Sequence, residues 1–338
     1  MSLPLAGILS VLTSLVLTFF LVPFFINYFK SIGLVDTDEN KKNKPLVPTS
    51  IGIPVLFGVM FGILFYAGIK TFITHDLYGQ VELFAVCVSI FLITFVGFID
   101  DLNTRQVKQD GFSVKKGIRQ WQKPLLTLPA AVPLMVIKAG NSLISVPFFG
   151  VLDLGILYPL FLVPLGVVGA ANMINLLGGF NGSEMGMGLL YTTYFGFVSY
   201  FYLNNLIASV IFFCTSAALL AALYYNFVPA KIMSGDSIQY LLGGVVASGV
   251  ILANMERIAL VALLPFFIEF ILKLRKRLNA SCMGVLQKDG TLKSKYDKIY
   301  SWTHIIMKSG RYTEKGVVLR LYLLQSSFIV LSYVIFLL

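Results

Sequence analysis

Charge is what this chain has least of. Only 12% of its 338 residues are charged, against about 25% in a typical soluble domain. With 57% hydrophobic residues and a mean hydropathy of +0.84, an ordinary soluble protein is excluded and a membrane-embedded one is expected. Histidine is nearly missing: His75 and His304 are the only two, which sets aside metal sites and triads built on imidazole. Of the three cysteines, Cys87 and Cys214 lie inside apolar runs and Cys282 in a basic loop, so neither a disulfide framework nor a metal spacing is present. The opening MSLPLAGILS has no positive segment; a cleaved signal peptide is not expected, and the first apolar run reads as a retained helix. A net charge of +10 does not point to nucleic acid, because Lys and Arg flank apolar segments and form no basic face with interleaved aromatics. No polar stretch exceeds the roughly 45 residues between Lys273 and Val317, too few for a separate domain. One polytopic unit over 1–338 is expected, with a basic loop at about 274–315.

What is present is a series of long apolar runs. A span needs about 20 mostly apolar residues, and ten segments qualify: 4–29, 50–73, 81–99, 124–139, 154–176, 184–203, 205–227, 237–254, 257–273 and 316–338. The fourth is short and interrupted by Pro124, Pro129 and Pro133, and Pro164 predicts a kink in the fifth. The connections after spans one, three, five, seven and nine hold 4, 6, 0, 1 and 11 Lys and Arg; those after the even-numbered spans hold Lys70, Lys138 and Arg257. By the positive-inside rule the odd-numbered connections are cytoplasmic. The fold expected is an all-α integral membrane protein of about ten transmembrane helices with both termini on the non-cytoplasmic side. The sequons at Asn181 and Asn279 then fall on the cytoplasmic side and read as chance matches.

Five polar clusters fall on that same side. GFIDD (97–101) ends span three with Asp100 and Asp101; Lys123 in QWQKP enters span four; NMINLLGGFNG (172–182) closes span five; SGDS (234–237) brings Asp236 to the start of span eight; LKLRKRLN (272–279) follows span nine with Arg275, Lys276 and Arg277. Each has an ordinary reading when taken alone. The paired Asp can be a solvated helix end, Asp236 an N-cap, Asn172 and Asn175 interhelical hydrogen-bond donors, and the basic triplet a topology anchor. Their coincidence at one surface favours a site, whereas transporters keep such groups near mid-membrane. Asp carboxylate with Asn carbonyl suits Mg²⁺, Lys123, Arg275 and Arg277 suit phosphate oxygens, and Gly178, Gly179 and Gly182 let backbone amides approach a ligand. The chemistry suggested is phosphoryl transfer between a soluble phosphorylated donor and a lipid acceptor.

At these residues the chain resembles the polyprenyl-phosphate N-acetylhexosamine-1-phosphate transferases. GFIDD, Lys123, N-x-x-N-x-x-x-G-x-N-G at 172–182, the Gly-Asp at 235–236 and the basic loop occur in family order. Within the superfamily it looks closest to the UDP-N-acetylglucosamine:dolichyl-phosphate N-acetylglucosamine-1-phosphate transferase branch. The resemblance implies that a polyprenyl or dolichyl phosphate attacks the β-phosphorus of UDP-GlcNAc, UMP leaves, and a lipid-linked GlcNAc-diphosphate remains. It further implies Mg²⁺, or Mn²⁺ in its place, on Asn175 and Asp236. Arg275 and Arg277 would meet diphosphate oxygens, Lys123 a phosphate at the reacting centre, and Asn181 with Gly178 and Gly179 the uridine. Asn172 joins the substrate-binding set, and Asp100 and Asp101 complete the catalytic set. Two departures stand out: Lys276 replaces a histidine that many relatives carry, and Met233 stands where relatives can have an aromatic residue.

The expected partners are UDP-GlcNAc, the lipid phosphate and membrane lipid, with a homodimer implied by the resemblance and no nucleic acid. The active site is expected on the cytoplasmic face of an archaeal cell membrane or of the endoplasmic reticulum. Alternative readings are the same chemistry with another UDP-amino sugar or, from a different class, a nucleotide-sugar transporter or lipid flippase.

Overall fold

The computed structural model describes residues 3–103, 105–109, 112–119, 121–146 and 150–338. Helices dominate: α1 (Leu3–Ser31), α2 (Gly52–Phe72), α3 (Gln80–Asn103), α4 (Gln122–Thr127), α5 (Val132–Val136), α6 (Val163–Ile174), α7 (Ser183–Phe201), α8 (Leu206–Asn226), α9 (Gly235–Ala253), α10 (Glu256–Ala262), α11 (Leu264–Leu274), α12 (Trp302–Ser309) and α13 (Glu314–Leu337). Six of them, α1, α2, α3, α8, α9 and α13, are long and apolar enough to cross a membrane. The chain is a mostly helical integral membrane protein. All ten apolar segments read from the sequence fall on helical elements, although three are broken. The proline-rich segment becomes α4, a 3₁₀ turn (Leu128–Ala131) and α5. The disturbance expected near Pro164 is a wide π turn (Tyr158–Leu162) just before α6, where proline cannot supply a helical N–H. The ninth segment divides into α10 and α11 at Leu263, ahead of Pro265.

Among the described residues, four antiparallel two-stranded hairpins, absent from the all-α expectation, occupy connections: β1 (Val35–Thr37) with β2 (Leu46–Pro48), β3 (Arg105–Gln109) with β4 (Phe112–Lys116), β5 (Leu143–Val146) with β6 (Gly150–Asp153), and β7 (Gly284–Leu286) with β8 (Leu292–Ser294). The side chains of Arg105, Lys108, Lys115 and Lys116, which weigh in the charge bias, lie outside the described residues.

The helix at the centre of the bundle is α9. It is apolar on every face, the pattern of a buried helix, and 89% of its apolar window is buried. Small residues set its distances, as they do between membrane helices generally. A Cβ at Gly243 would strike the Ala171 backbone of α6, and one at Gly244 would strike Ile93 of α3. The helix stops at Asn254 in left-handed conformation, φ 50°, a residue that tolerates that region.

The basic loop after α11 is packed. Trp302 Nε1 donates to Pro265 O at 2.9 Å, Thr303 Oγ1 to Cys282 O at 2.8 Å, and Lys276 lies 4.0 Å from the Tyr296 ring centre. His304 is fully buried. Its Nδ1 accepts from Tyr300 N at 3.1 Å, so the ring proton sits on Nε2, which faces Ser281 O at 2.9 Å. Burial holds this imidazole below its ordinary range. Because the folded form resists a proton that the unfolded chain accepts near pH 6.5, its contribution is complete above that pH and falls as pH drops below it. Thermal unfolding in detergent should therefore show a midpoint that declines from about pH 7 to 5, with this component missing in His304→Leu. An equally steep decline in the variant would assign it to other groups.

Candidate active site

Four elements end at one place, and each delivers one or two polar side chains there. The last turn of α3 carries Asp100 and Asp101, α4 opens beside Lys123, α6 closes at Asn175, and the first turn of α9 carries Asp236. Lys123 is the hub. Its ammonium lies 2.6 Å from Asp100 Oδ2 and 2.9 Å from Asp236 Oδ2, and Asn175 Nδ2 donates to that same Asp236 oxygen at 3.3 Å. Asp100 is almost wholly buried, whereas the Asp236 side chain keeps 28% of its surface open. Asp100 Oδ1 also accepts from Ile118 N at 2.6 Å, tying the segment before α4 to the end of α3.

The neighbouring carboxylates of GFIDD do different work. Asp101 caps α9 from across the bundle. Its Oδ1 accepts from Asp236 N at 2.5 Å, and its Oδ2 accepts from Ser237 N at 3.1 Å and from Ser50 Oγ at 2.6 Å. The first N–H groups of a helix have no partner within it, and a carboxylate there also faces the positive end of the helix dipole. Two glycines make room. A Cβ at Gly97 would come within 2.8 Å of Asp236 O, and one at Gly235, where φ is +67°, within 2.5 Å of Asp101 Oδ2. Asp101 thus holds the backbone of Asp236, and Asp100 holds Lys123 against its side chain.

The loop between α6 and α7 is built on a separate network. Asn172 donates to Val168 O of its own helix at 2.8 Å and reaches Thr127 Oγ1 at 3.5 Å, so its contacts are with α6 and α4, outside the carboxylate cluster. Gly179 N donates to Glu184 Oε1 at 2.8 Å, which also accepts from Gln239 Nε2 at 3.1 Å. A Cβ at Gly178 would strike both Glu184 and Gln239. Asn181 is buried: its Nδ2 donates to Asp38 Oδ2 at 2.7 Å and its N to Glu314 Oε1 at 3.0 Å. Arg275 donates to Ile299 O at 3.1 Å beside the Tyr300 ring, and Arg277 is a left-handed residue, φ 52°. Among the described residues neither joins the carboxylate cluster. The part of that loop that reaches the glycines is Met283, whose sulfur would lie 2.9 Å from a Cβ on Gly179.

Sequence reasoning missed Ser50, Asp38, Glu184, Gln239 and Glu314. Glu184 had a signal, an acidic residue in the first turn of a helix beginning after Gly182. Glu314 likewise opens a helix, but nothing local tied it or Asp38 to Asn181, which lies 133 and 143 residues away.

A magnesium ion can be judged against these groups. Among the described residues no three His, Cys, Asp or Glu side chains stand close enough to hold a metal. One part-open carboxylate, Asp236, stands beside one amide, Asn175, whose Nδ2 faces it; with that amide turned over, its Oδ1 and the carboxylate make a hard-oxygen pair. Mg²⁺ is commonly held by one or two carboxylates, with waters and substrate phosphates completing its shell. The donor set fits.

With that geometry in hand, comparison with known proteins is decisive on family. The profile described as glycosyl transferase family 4 matches residues 83–254. A Saccharolobus solfataricus protein is 31% identical over 336 residues, covering 98% of this chain and 97% of its own length. The chain belongs to glycosyl transferase family 4. That archaeal relative carries the name of a UDP-N-acetylglucosamine–dolichyl-phosphate N-acetylglucosaminephosphotransferase. A Dictyostelium discoideum protein of the same name is 27% identical, covering 75% of this chain and 68% of its own length. The phospho-N-acetylmuramoyl-pentapeptide-transferase of Lactobacillus acidophilus is 29% identical, covering 75% and 77%. The family match contains every expected site residue except Arg275 and Arg277.

The capping arrangement is testable by stability. Asp101→Ala leaves two buried N–H groups unpaired, an expected loss of about 1–3 kcal/mol. Asp101→Asn keeps one acceptor and should lose clearly less. Equal thermal midpoints for the two variants in detergent would remove the capping role.

Proposed function

We propose that this protein transfers GlcNAc-1-phosphate from UDP-GlcNAc to a polyprenyl or dolichyl phosphate, releasing UMP and leaving a lipid-linked GlcNAc-diphosphate. The observation that carries this reading is the Lys123 hub, where one ammonium is shared by carboxylates from two membrane helices beside an amide at the end of a third. A positively charged point held in a part-open acidic cleft is suited to a phosphate that must be oriented and stabilised. The full-length match to the Saccharolobus solfataricus protein supports the donor and acceptor.

The proposed steps follow from the side chains. Donor diphosphate enters beside Asp236 and Asn175, where Mg²⁺ when bound would neutralise it and stabilise the departing UMP. Lys123 turns from its carboxylates to a phosphate oxygen, and Asp100 limits how far it moves. The acceptor phosphate has a second pKa of about 6 and is mostly ionised at neutral pH, so attack on the β-phosphorus needs little help from a base. Both Asp101 oxygens are committed to N–H and O–H donors, which leaves that residue a positioning role. Phosphoryl transfer relies mainly on placement and charge stabilisation, and this is what the cluster supplies.

The chain is proposed to cross the membrane about ten times with both termini on the non-cytoplasmic side. The site then opens to the cytoplasm, where nucleotide sugars are made. The bias of Lys and Arg toward the odd-numbered connections supports this orientation. The membrane would be an archaeal cell membrane or that of the endoplasmic reticulum.

Purified protein incubated with UDP-GlcNAc, polyprenyl phosphate and Mg²⁺ should release UMP only when both lipid and metal are present. Uptake of UDP-GlcNAc into proteoliposomes without UMP would instead establish a transporter. In the same assay Asp100→Asn should lose activity by about 100-fold or more, on the scale of removing an electrostatic stabiliser. The defect should stay flat from about pH 6 to 9, spanning the second phosphate pKa. Recovery at the alkaline end would make Asp100 a base.

A further inference from the structure

A buried ion pair in α11 has no part in the steps above. Lys273 is 6% exposed and Glu269 fully buried, with Lys273 Nζ 3.7 Å from Glu269 Oε1. Apolar residues of similar volume usually serve stability as well as a buried pair does. A charge kept here therefore points to a specific contact.

That contact is with the main chain next to the site. Lys273 Nζ donates to Leu176 O, one residue past Asn175, where α6 ends. Cys282 Sγ donates to the same oxygen at 3.2 Å. Leu176 stands just past the C-cap of α6, where a cation faces the negative end of the helix dipole. The pair is itself braced: Glu269 Oε2 accepts from Trp302 N at 2.9 Å, and Cys282 Sγ lies 3.5 Å from Glu269 Oε1. Two parts of the chain, α11 and the segment at Cys282, thus meet on one carbonyl, and the start of α12 braces the glutamate behind them. On one side of it in sequence stands Asn175, and on the other Gly178 and Gly179.

We infer that Lys273 is a positioning residue for the reaction, a buried ammonium that pins the end of α6 and so sets where the Asn175 amide and the glycine loop stand. The inference rests on the reading of Asn175 as a ligand to the donor-bound metal. Lys273 touches no reacting atom. It acts as outer partners of metal ligands do, whose loss typically costs about 10- to 100-fold in metal affinity or activity.

The test uses full-length protein in detergent. Binding of Mn²⁺ in the presence of UDP-GlcNAc, without lipid acceptor, is measured by electron paramagnetic resonance, and the Mg²⁺ concentration for half-maximal UMP release is measured separately. In Lys273→Met the Mn²⁺ dissociation constant and the Mg²⁺ concentration for half-maximal activity should each rise by about ten-fold, and Lys273→Arg, which keeps a donor and a charge, should recover most of the loss. A Lys273→Met protein with reduced turnover but unchanged Mn²⁺ binding and half-activation overturns the inference, since a purely structural role moves only rate and stability. If Lys273→Met is not monodisperse, Lys273→Gln is read by the same two numbers, with an unchanged pair again overturning it. Wild-type protein that binds no Mn²⁺ with UDP-GlcNAc and releases no UMP would remove the reading of the site itself, and this inference with it.

Discussion

A carboxylate on one membrane helix closes the open end of another, and the rest of the site is arranged around that contact. Asp101 of α3 accepts from two of the first N–H groups of α9, a role that the side chain of the helix's own N-cap residue, Ser234, does not fill. A buried backbone N–H left without a partner costs about 1–3 kcal/mol. The cap therefore stabilises the fold, and it fixes Asp236 relative to α3. Gly97 and Gly235 exist at positions where any side chain would separate the two helices or displace the cap.

Once α9 is held, the placement of the remaining charges follows. Asp100, next in the chain to the capping residue, faces Lys123 instead, and Lys123 meets Asp236. Two adjacent aspartates thereby serve two helices: one orders backbone, the other orders a cation. Asn175 arrives from α6, whose approach to α9 depends on Gly243 against Ala171. The clustered polar groups sit on helix ends, where the backbone has unpaired polar groups of its own. The glycine loop and the basic loop are held by their own buried networks, through Glu184, Asp38 and Glu314 for the first and Glu269 and Lys273 for the second.

Much of this was legible in the sequence, for physical reasons. Runs of apolar residues stand out, and all ten fall on helical elements, six of which among the described residues are long and apolar enough to cross a membrane. GFIDD, Lys123, Asn175 and Asp236 stood out because charge and amide groups are costly beside such runs, and the structure brings them together. The hairpins were not legible, since strands of three to five residues carry no periodic signal. Nor was the division of labour between Asp100 and Asp101: it is decided by the N–H of Asp236, 135 residues away. Arg275 and Arg277 stood out as a basic run, but the path of their loop was not legible: it turns Arg275 toward Ile299 and Tyr300 and brings Met283 to the glycines. Asn181 stood out for its motif, but nothing nearby in the sequence announced its partners Asp38 and Glu314.

The central claim is that Asp236 and Asn175, set in place by the Asp101 cap and the Lys123 hub, receive the metal-bound diphosphate of a nucleotide sugar. Crystals soaked with Mn²⁺ and UDP-GlcNAc test it most directly through anomalous scattering. The account predicts one strong peak between the Asp236 carboxylate and the Asn175 amide, with the diphosphate beside it and Lys123 turned toward a phosphate oxygen. A peak elsewhere with donor bound, or donor density that avoids Asp236 and Asn175, would contradict it.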